Sequence, residues 1–331
     1  MMQHAVRYME THSQNPYYNL AFEEYVLTHR TEGDYLLLWQ NDNTIVVGRN
    51  QNTEAEINRA FVEEHHINVV RRGTGGGAVY HDLGNLNYSF ITDVGDDGIS
   101  IRRFTQPVVA ALRSLGLNAE ASGRNDILVE GRKVSGTAQR RHAGRILHHG
   151  TLLFDANPGM VAGALNVDPE KFRSKSTKSV RARIGNIRDF LPVDMDLPAF
   201  WTYLKDALSG GGLTPDALTA DELAAVERLK TEKYDTWAWN YGRSPKFDVT
   251  RKRYWDGGCL EASVSIADGR ITDIRFCGDF LAVRDMDALL AALKGTAYRP
   301  EAVRPVLEAS PVAELFGAIT ADEVIATLFD L

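Results

Sequence analysis

From Arg71 to Asp82 the chain reads Arg71-Arg72-Gly73-Thr74-Gly75-Gly76-Gly77-Ala78-Val79-Tyr80-His81-Asp82. Four glycines in five positions leave a backbone without Cβ shielding, able to take positive φ and to lie against a ligand. Successive exposed N–H groups in such a turn form a nest for an anion. Two arginines enter it and a histidine leaves it, so fixed and switchable positive charge flank the loop. Residues 67–70 read as a buried strand leading in, and 87–91 as a strand leading out. A purely structural glycine-rich bend would carry the same glycines; the arginines turn the reading toward a phosphate or carboxylate site. Gly76 and Gly77 are then expected to accept no β-branched side chain. No Gly-Lys-Ser/Thr closes the loop, so the P-loop pattern fails. The dinucleotide fingerprint fails too, lacking its last glycine and the helix that should follow.

A second charged cluster is Ser122-Gly123-Arg124-Asn125-Asp126 followed by Gly131-Arg132-Lys133-Val134-Ser135-Gly136. Strand alternation puts Lys133 and Ser135 on one face and Arg132 and Val134 on the other. Lys133, uncrowded between two glycines, could bring a compact charge to a phosphate. A solvated edge-strand lysine that blocks aggregation would look the same. His148-His149-Gly150-Thr151 adds a polar cluster, but adjacent strand histidines point to opposite faces and make no metal pair. The basic run 173–184 has no clear period and reads as a surface loop, or as a lid if it lies near an anion.

The elements that must position these groups are legible in outline. Asn15-Pro16 opens a helix with Tyr18, Ala21, Phe22 and Tyr25 on one face. A strand pair over 35–40 and 44–48 is joined by Asn41-Asp42-Asn43, and a helix covers 55–65. A third helix spans 104–115, with Pro107 in its first turn or at a kink. Strands follow at 126–130, 133–138 and 151–155. Helices near 198–208 and 220–230 lead to Trp237-Ala238-Trp239-Asn240-Tyr241, and Ser244-Pro245 reads as a linker. Beyond it, 259–266 and 271–276 form a hairpin about Ala267-Asp268-Gly269-Arg270, and Thr320 caps a last helix. A domain boundary is expected near residue 246.

With 331 residues the chain is long enough for a full core and is expected to form two domains. A net charge of −7 opposes a nucleic-acid-binding surface. The two cysteines, Cys259 and Cys277, fit reduced thiols in a cytoplasm better than a disulfide framework. No apolar run approaches membrane-span length.

Taken in order, several segments resemble lipoate–protein ligase A, of the cofactor-transferase group related to biotin ligases. They are Asn15-Pro16-Tyr17-Tyr18-Asn19-Leu20-Ala21, Val47-Gly48-Arg49-Asn50-Gln51-Asn52, the loop 71–85 and Gly123-Arg124-Asn125-Asp126. Arg132-Lys133-Val134-Ser135-Gly136, His149-Gly150-Thr151 and Ser179-Val180-Arg181 complete the set. The resemblance covers nearly the whole chain, and the segment from Trp237 onward is similar to the accessory domain of the long ligases. It implies an α+β fold: mixed and antiparallel sheets flanked by helices in a catalytic domain, residues 1–246, with a small α+β accessory domain, residues 247–331. It implies that lipoate and ATP give lipoyl-adenylate, whose acyl group passes to a lysine of a lipoyl domain. The acceptors would be 2-oxoacid dehydrogenases and the glycine-cleavage H protein.

Residue by residue, the resemblance makes Lys133 catalytic, in contact with the adenylate phosphate and the lipoyl carbonyl. It assigns Arg72, Gly75, Gly76, Gly77, Ala78, Val79 and Tyr80, with Lys133, to ATP and the adenylate. Trp39, Arg72, His81 and His149, again with Lys133, would surround lipoate. Magnesium is expected with ATP, without a ligand set in view. A cytoplasmic monomer with no nucleic-acid or membrane partner is the matching expectation. Lipoate and octanoate both present an apolar chain and a carboxylate, so the resemblance admits either acid. Three rival readings stand beside it: a thioester acyltransferase of the same fold, a biotin ligase, and a silent binding protein on this fold. The first needs a cysteine nucleophile, and none precedes Cys259. The second lacks its arginine-glycine loop, and the third has no use for Arg72, Lys133 and the glycine loop together.

Overall fold

The structure, a computed structural model, describes residues 6–94, 100–123, 125–165, 184–210, 212–241 and 248–329. Eight strands make the large sheet: Leu213–Pro215 (β11), Val6–Glu10 (β1), Tyr35–Trp39 (β2), Asn85–Asp93 (β6), Arg145–Leu153 (β10), Arg132–His142 (β9), Asp126–Val129 (β8) and Ala119–Ser122 (β7), in that spatial order. The β11–β1–β2 edge is parallel and every later pairing antiparallel. Both faces are covered. Helices Pro16–His29 (α1) and Ala220–Leu229 pack with Leu37, Trp39 and Leu147 on one side. Helices Ile101–Ser114 and Leu197–Leu208 pack with Leu36, Leu38, Phe90 and Ile146 on the other. Coverage on both faces explains why β2, Tyr-Leu-Leu-Leu-Trp, is apolar throughout and not alternating.

A small sheet, Asn68–Arg71 (β4), Thr44–Val47 (β3) and Val79–His81 (β5), carries the glycine loop between its outer strands. The expected pairing of 35–40 with 44–48 is therefore replaced: β2 joins the large sheet and β3 the small one. Each of the two segments is buried along its whole length, so each needs its own partners, and the chain changes layer at Asn43, whose φ is +41°. The helix expected over 55–65 is two short ones, Thr53–Glu56 and Arg59–Glu64, because Asn58 caps the second through Phe61 N–H. The third helix begins at Ile101, capped by Ser100, which leaves Pro107 inside it and not in its first turn.

After the aromatic segment, Val249–Trp255 (β12), Gly258–Ala267 (β13) and Arg270–Gly278 (β14) form an antiparallel sheet covered by short helices. Its core, centred on Leu260, Phe276, Phe280 and Phe316, is separate from those of the large sheet. Among the described residues no helix is long and apolar enough to cross a membrane.

Candidate active site

The glycine loop is shaped from inside by the two arginines that precede it. Arg71 is buried, and its guanidinium donates to the carbonyls of Gly48, Arg49, Gln51, Trp239 and Asn240 and to Thr53 Oγ1. All its donors serve the scaffold, so Arg71 is not part of a charged rim as the sequence suggested. Arg72 turns the other way. Its Nε donates to Thr74 Oγ1 at 3.0 Å, Nη1 to Val46 O at 3.1 Å, and Nη2 to Gly75 O at 2.6 Å and Gly77 O at 2.8 Å. Burial lowers its pKa to about 10 against the pull of Glu23, so the group stays charged at neutral pH.

Burial also divides the nest. The N–H groups of Gly75 and Gly76 donate to Ala282 O at 3.3 Å and Phe280 O at 3.1 Å, backbone of the C-terminal unit. They are covered, where the sequence suggested exposed donors. Gly77 and Ala78 offer N–H groups with no partner among the described residues, and both line a cavity. Further contacts tie the same two units: Gly278 N–H to Asn50 O at 2.8 Å, Arg141 N–H to Val283 O at 2.8 Å, Arg49 to Asp285 at 3.0 Å, and the Arg141 guanidinium to Glu314 at 2.9 Å.

The cavity, about 120 Å³, is walled by Leu20, Trp39, Val46 and Val79, with Arg72, Gly76, Gly77, Ala78, His81, Lys133 and His149 around it. The sequence-derived residues thus meet in one place, save two. Gly75 lies under the C-terminal unit, and the Tyr80 ring is buried in the small-sheet core with its hydroxyl on Asn43. Arg124 and Ser179-Val180-Arg181, with most of the basic run, fall outside the described residues.

Lys133 reaches the cavity by an unexpected route. The β8–β9 register slips by one residue between Ile127 and Leu128, so Ser135 pairs with Ile127 while Lys133 pairs with Leu128. Such a bulge re-aims the side chains beyond it. Ser135 is fully buried, and Lys133 lies over Gly136 with Nζ 2.8 Å from Asp126 Oδ1. The expectation that Lys133 and Ser135 share a face fails because of this extra residue.

Behind the cavity runs a buried polar chain that sequence reasoning missed. Trp39 Nε1 donates to Ser89 Oγ at 2.9 Å, and Ser89 Oγ to Glu23 Oε1 at 2.5 Å. Glu23 holds His149 Nδ1 at 2.9 Å, and His149 Nε2 meets Thr74 Oγ1 at 2.8 Å, next to Arg72 Nε. Glu24 binds Arg140, Lys233 and Tyr234. The available signal was Glu23-Glu24 set between Phe22 and Tyr25 in an otherwise apolar helix, since carboxylates placed there require partners.

Close approach explains particular glycines. A Cβ at Gly48 would lie 1.9 Å from Gly76 O, whereas one at Gly77 would find Asp279 Cβ at 3.9 Å as its nearest atom. Gly48→Ala is therefore expected to destabilise the fold by about 2 kcal/mol or more by displacing the loop. If the loop holds ATP, as the resemblance implies, Gly77→Ala should keep parental stability but weaken ATP binding, because no described residue fills that space. Thermal unfolding beside ATP calorimetry separates the two. Unchanged ATP affinity in Gly77→Ala would make the loop a bend without a ligand.

Residues 15–209 match the lipoyl protein ligase A/B catalytic domain, and residues 244–328 the bacterial lipoate protein ligase C-terminus. The chain is 42% identical to the lipoate-protein ligase LplJ of Bacillus subtilis, over 95% of this chain and 97% of that protein. LipL1 of P. falciparum, solved in complex with lipoate, shares the fold with a TM-score of 0.82 at 24% identity, covering 98% of this chain and 100% of that one. A lipoate-protein ligase A bound with ATP gives a TM-score of 0.64 at 28% identity, covering 73% and 99%. The chain belongs to the lipoate–protein ligase family, and it is an enzyme of that class.

Proposed function

We propose that this enzyme activates lipoate with ATP and transfers the lipoyl group to a lysine of a lipoyl-domain protein. The observation that carries the reading is the composition of one cavity. An apolar wall of Leu20, Trp39 and Val46 opens onto a lysine, a buried arginine and two free backbone N–H groups. That suits an acid with an apolar tail whose head meets a phosphate.

In the first step a carboxylate oxygen of lipoate attacks the α-phosphorus of ATP, the P–O bond to the β-phosphate breaks, and pyrophosphate leaves. Lys133 and the N–H groups of Gly77 and Ala78 would stabilise the charge gathering on the α-phosphate, with Arg72 holding the loop in shape. In the second, an acceptor ε-amine attacks the acyl carbonyl, AMP leaves with the bonding pair, and the amine loses its proton as the amide forms. Magnesium would arrive with ATP and neutralise charge on its phosphates, held mainly by phosphate and water. Asp126, 2.8 Å from Lys133 Nζ, could supply a carboxylate to it. Among the described residues no group of three His, Cys, Asp or Glu side chains could hold a metal by itself. We assign residues 1–246 to catalysis and 247–331 to an accessory domain that covers the nest. We further propose a monomer acting in the cytoplasm, where Cys259 and Cys277 stay reduced.

ATP/pyrophosphate exchange that depends on lipoate tests the reading directly. Exchange is expected with lipoate and not without it. A transferase or a silent binder would show none.

A further inference from the structure

We propose that Glu23, a buried carboxylate that neither reaction step uses, is a positioning residue for the glycine loop. Through His149 and Thr74 it sets the pose of Arg72, and with it the backbone donor that Ala78 turns to the cavity. The inference rests on the ligase reading and deepens it by naming what holds the loop ready for ATP.

Peptide geometry links Arg72 to that donor. Arg72 Nη2 donates to Gly75 O at 2.6 Å and to Gly77 O at 2.8 Å, from inside the turn. In a trans peptide the carbonyl and the following N–H point in opposite directions, and the described residues contain no cis bond. A Gly77 carbonyl held inward by Arg72 therefore turns the Ala78 N–H outward, and Ala78 lines the cavity. The Gly75 carbonyl does the same for the Gly76 N–H, which meets Phe280 O.

Behind Arg72 runs a relay whose hydrogen-bond directions are forced. Arg72 Nε can only donate, so Thr74 Oγ1 accepts from it at 3.0 Å. Trp39 Nε1 can only donate too, so Ser89 Oγ accepts from it and passes its own proton to Glu23. A carboxylate accepts and has no proton to return, so His149 carries one on Nδ1, 2.9 Å from Glu23 Oε1. That leaves Nε2 to accept the Thr74 hydroxyl proton at 2.8 Å. Hydrogen bonds from both ends of the chain thus run toward one buried carboxylate.

Charge points the same way. Arg72 is buried, and among the described residues its hydrogen bonds end only on neutral oxygens. Burial lowers its pKa to about 10, and Glu23 is the carboxylate that pulls against this. Glu23 thus acts as a counter-charge across two intervening side chains, and a buried charge without one is costly. Without Glu23 the His149 ring can take its proton on either nitrogen, and the Thr74 hydroxyl loses its fixed direction. The Arg72 fork is then no longer held over both carbonyls. Neither Glu23 nor Thr74 lines the cavity, so each acts through residues that do.

Two measurements test the relay. In the wild-type enzyme, ring ¹⁵N spectra should place the proton shared with Glu23 on Nδ1 of His149. In Glu23→Gln its resonance should move upfield as the charged acceptor is lost. In pyrophosphate exchange at saturating lipoate, kcat/KM for ATP should fall about tenfold in Glu23→Gln, the equivalent of one misaligned hydrogen bond. Thr74→Val cuts the same relay one step nearer the loop and should lose a similar amount. The double variant should be no worse than Thr74→Val alone, because residues acting in series do not add. A bare Nδ1 in the wild type, a parental kcat/KM for ATP in folded Glu23→Gln, or losses that multiply in the double variant overturns the inference. Multiplied losses are what a role in packing alone would give. If Glu23→Gln does not fold, the wild-type spectrum and the ATP dependence of Thr74→Val decide. No exchange in the parent overturns the ligase reading and this inference together, whereas exchange in the parent with any of those three results overturns this inference only.

Discussion

Replacing Lys133 by alanine is expected to slow adenylate formation more than a hundredfold and to leave the fold intact. The two halves of that expectation have different grounds. Lys133 is about 38% exposed in its side chain, and it pairs with Asp126, itself about 35% exposed. An ion pair so open to water contributes roughly 0–1 kcal/mol to stability, so unfolding should barely move. In the proposed reaction the same ammonium would face charge that develops on a phosphate. Removing one such group costs on the order of 3 kcal/mol in the transition state, a factor above one hundred. Lys133→Arg should restore little. The side chain is laid over Gly136, where a Cβ would already sit 3.2 Å from Nζ, and a planar fork does not fit where a compact charge does. The check is lipoate-dependent pyrophosphate exchange, run beside thermal unfolding. Near-parental exchange in a folded alanine variant would remove Lys133 from the mechanism.

The sequence disclosed the site better than the scaffold around it. The glycine loop and Lys133 were legible from residue types that are costly or unusual where they stand, Trp39 and the role of His149 only from the resemblance; Gly76, Gly77, Lys133, Trp39 and His149 line one cavity. What it concealed depends on contacts between distant segments. That Arg71 is consumed by backbone carbonyls can be known only once residues 48–51 and 239–240 are placed against it. The bulge that separates Lys133 from Ser135 is a register property of two strands, not a feature of either. Likewise β1 and β11 lie at the parallel edge of the large sheet, and a parallel pairing leaves no local turn signal to read. The nest shows the same limit most directly. Its glycines announce an anion site, yet Phe280 and Ala282, some two hundred residues later, decide which of its donors are free.

The other large effect is expected at Glu24, where the fold gathers charge behind the loop. Its carboxylate is nearly buried and binds Arg140 at 3.0 Å, Lys233 at 2.6 Å and the Tyr234 hydroxyl at 2.6 Å. These partners come from β9 and from the turn Lys230–Tyr234, so one residue of α1 joins three elements. Arg140 in turn rests on the loop, since a Cβ at Gly73 would lie 2.7 Å from its Nη1. Removing the carboxylate leaves a buried arginine and a half-buried lysine facing each other without that counter-charge. Breaking a buried pair from one side costs about 3–5 kcal/mol, so Glu24→Ala should lose a large part of the stability of a typical domain at pH 7. The pH dependence supplies an independent check. Burial alone would raise the pKa of Glu24, but Lys233 and Arg140 outweigh it and hold the group at about 2, below its usual 4.5. A depressed carboxylate stabilises the fold above its unfolded pKa and loses that contribution as pH falls toward the folded value. The span from 4.5 to about 2 corresponds to roughly 3 kcal/mol. Between pH 7 and pH 5 the gap between parent and Glu24→Ala should therefore stay constant, and it should narrow from pH 4.5 downward. Urea unfolding of both proteins at pH 7, 5, 4 and 3 measures that gap. A difference that does not change with pH would mean that Glu24 acts through packing, and that its charge does not hold Arg140 in place beneath the loop.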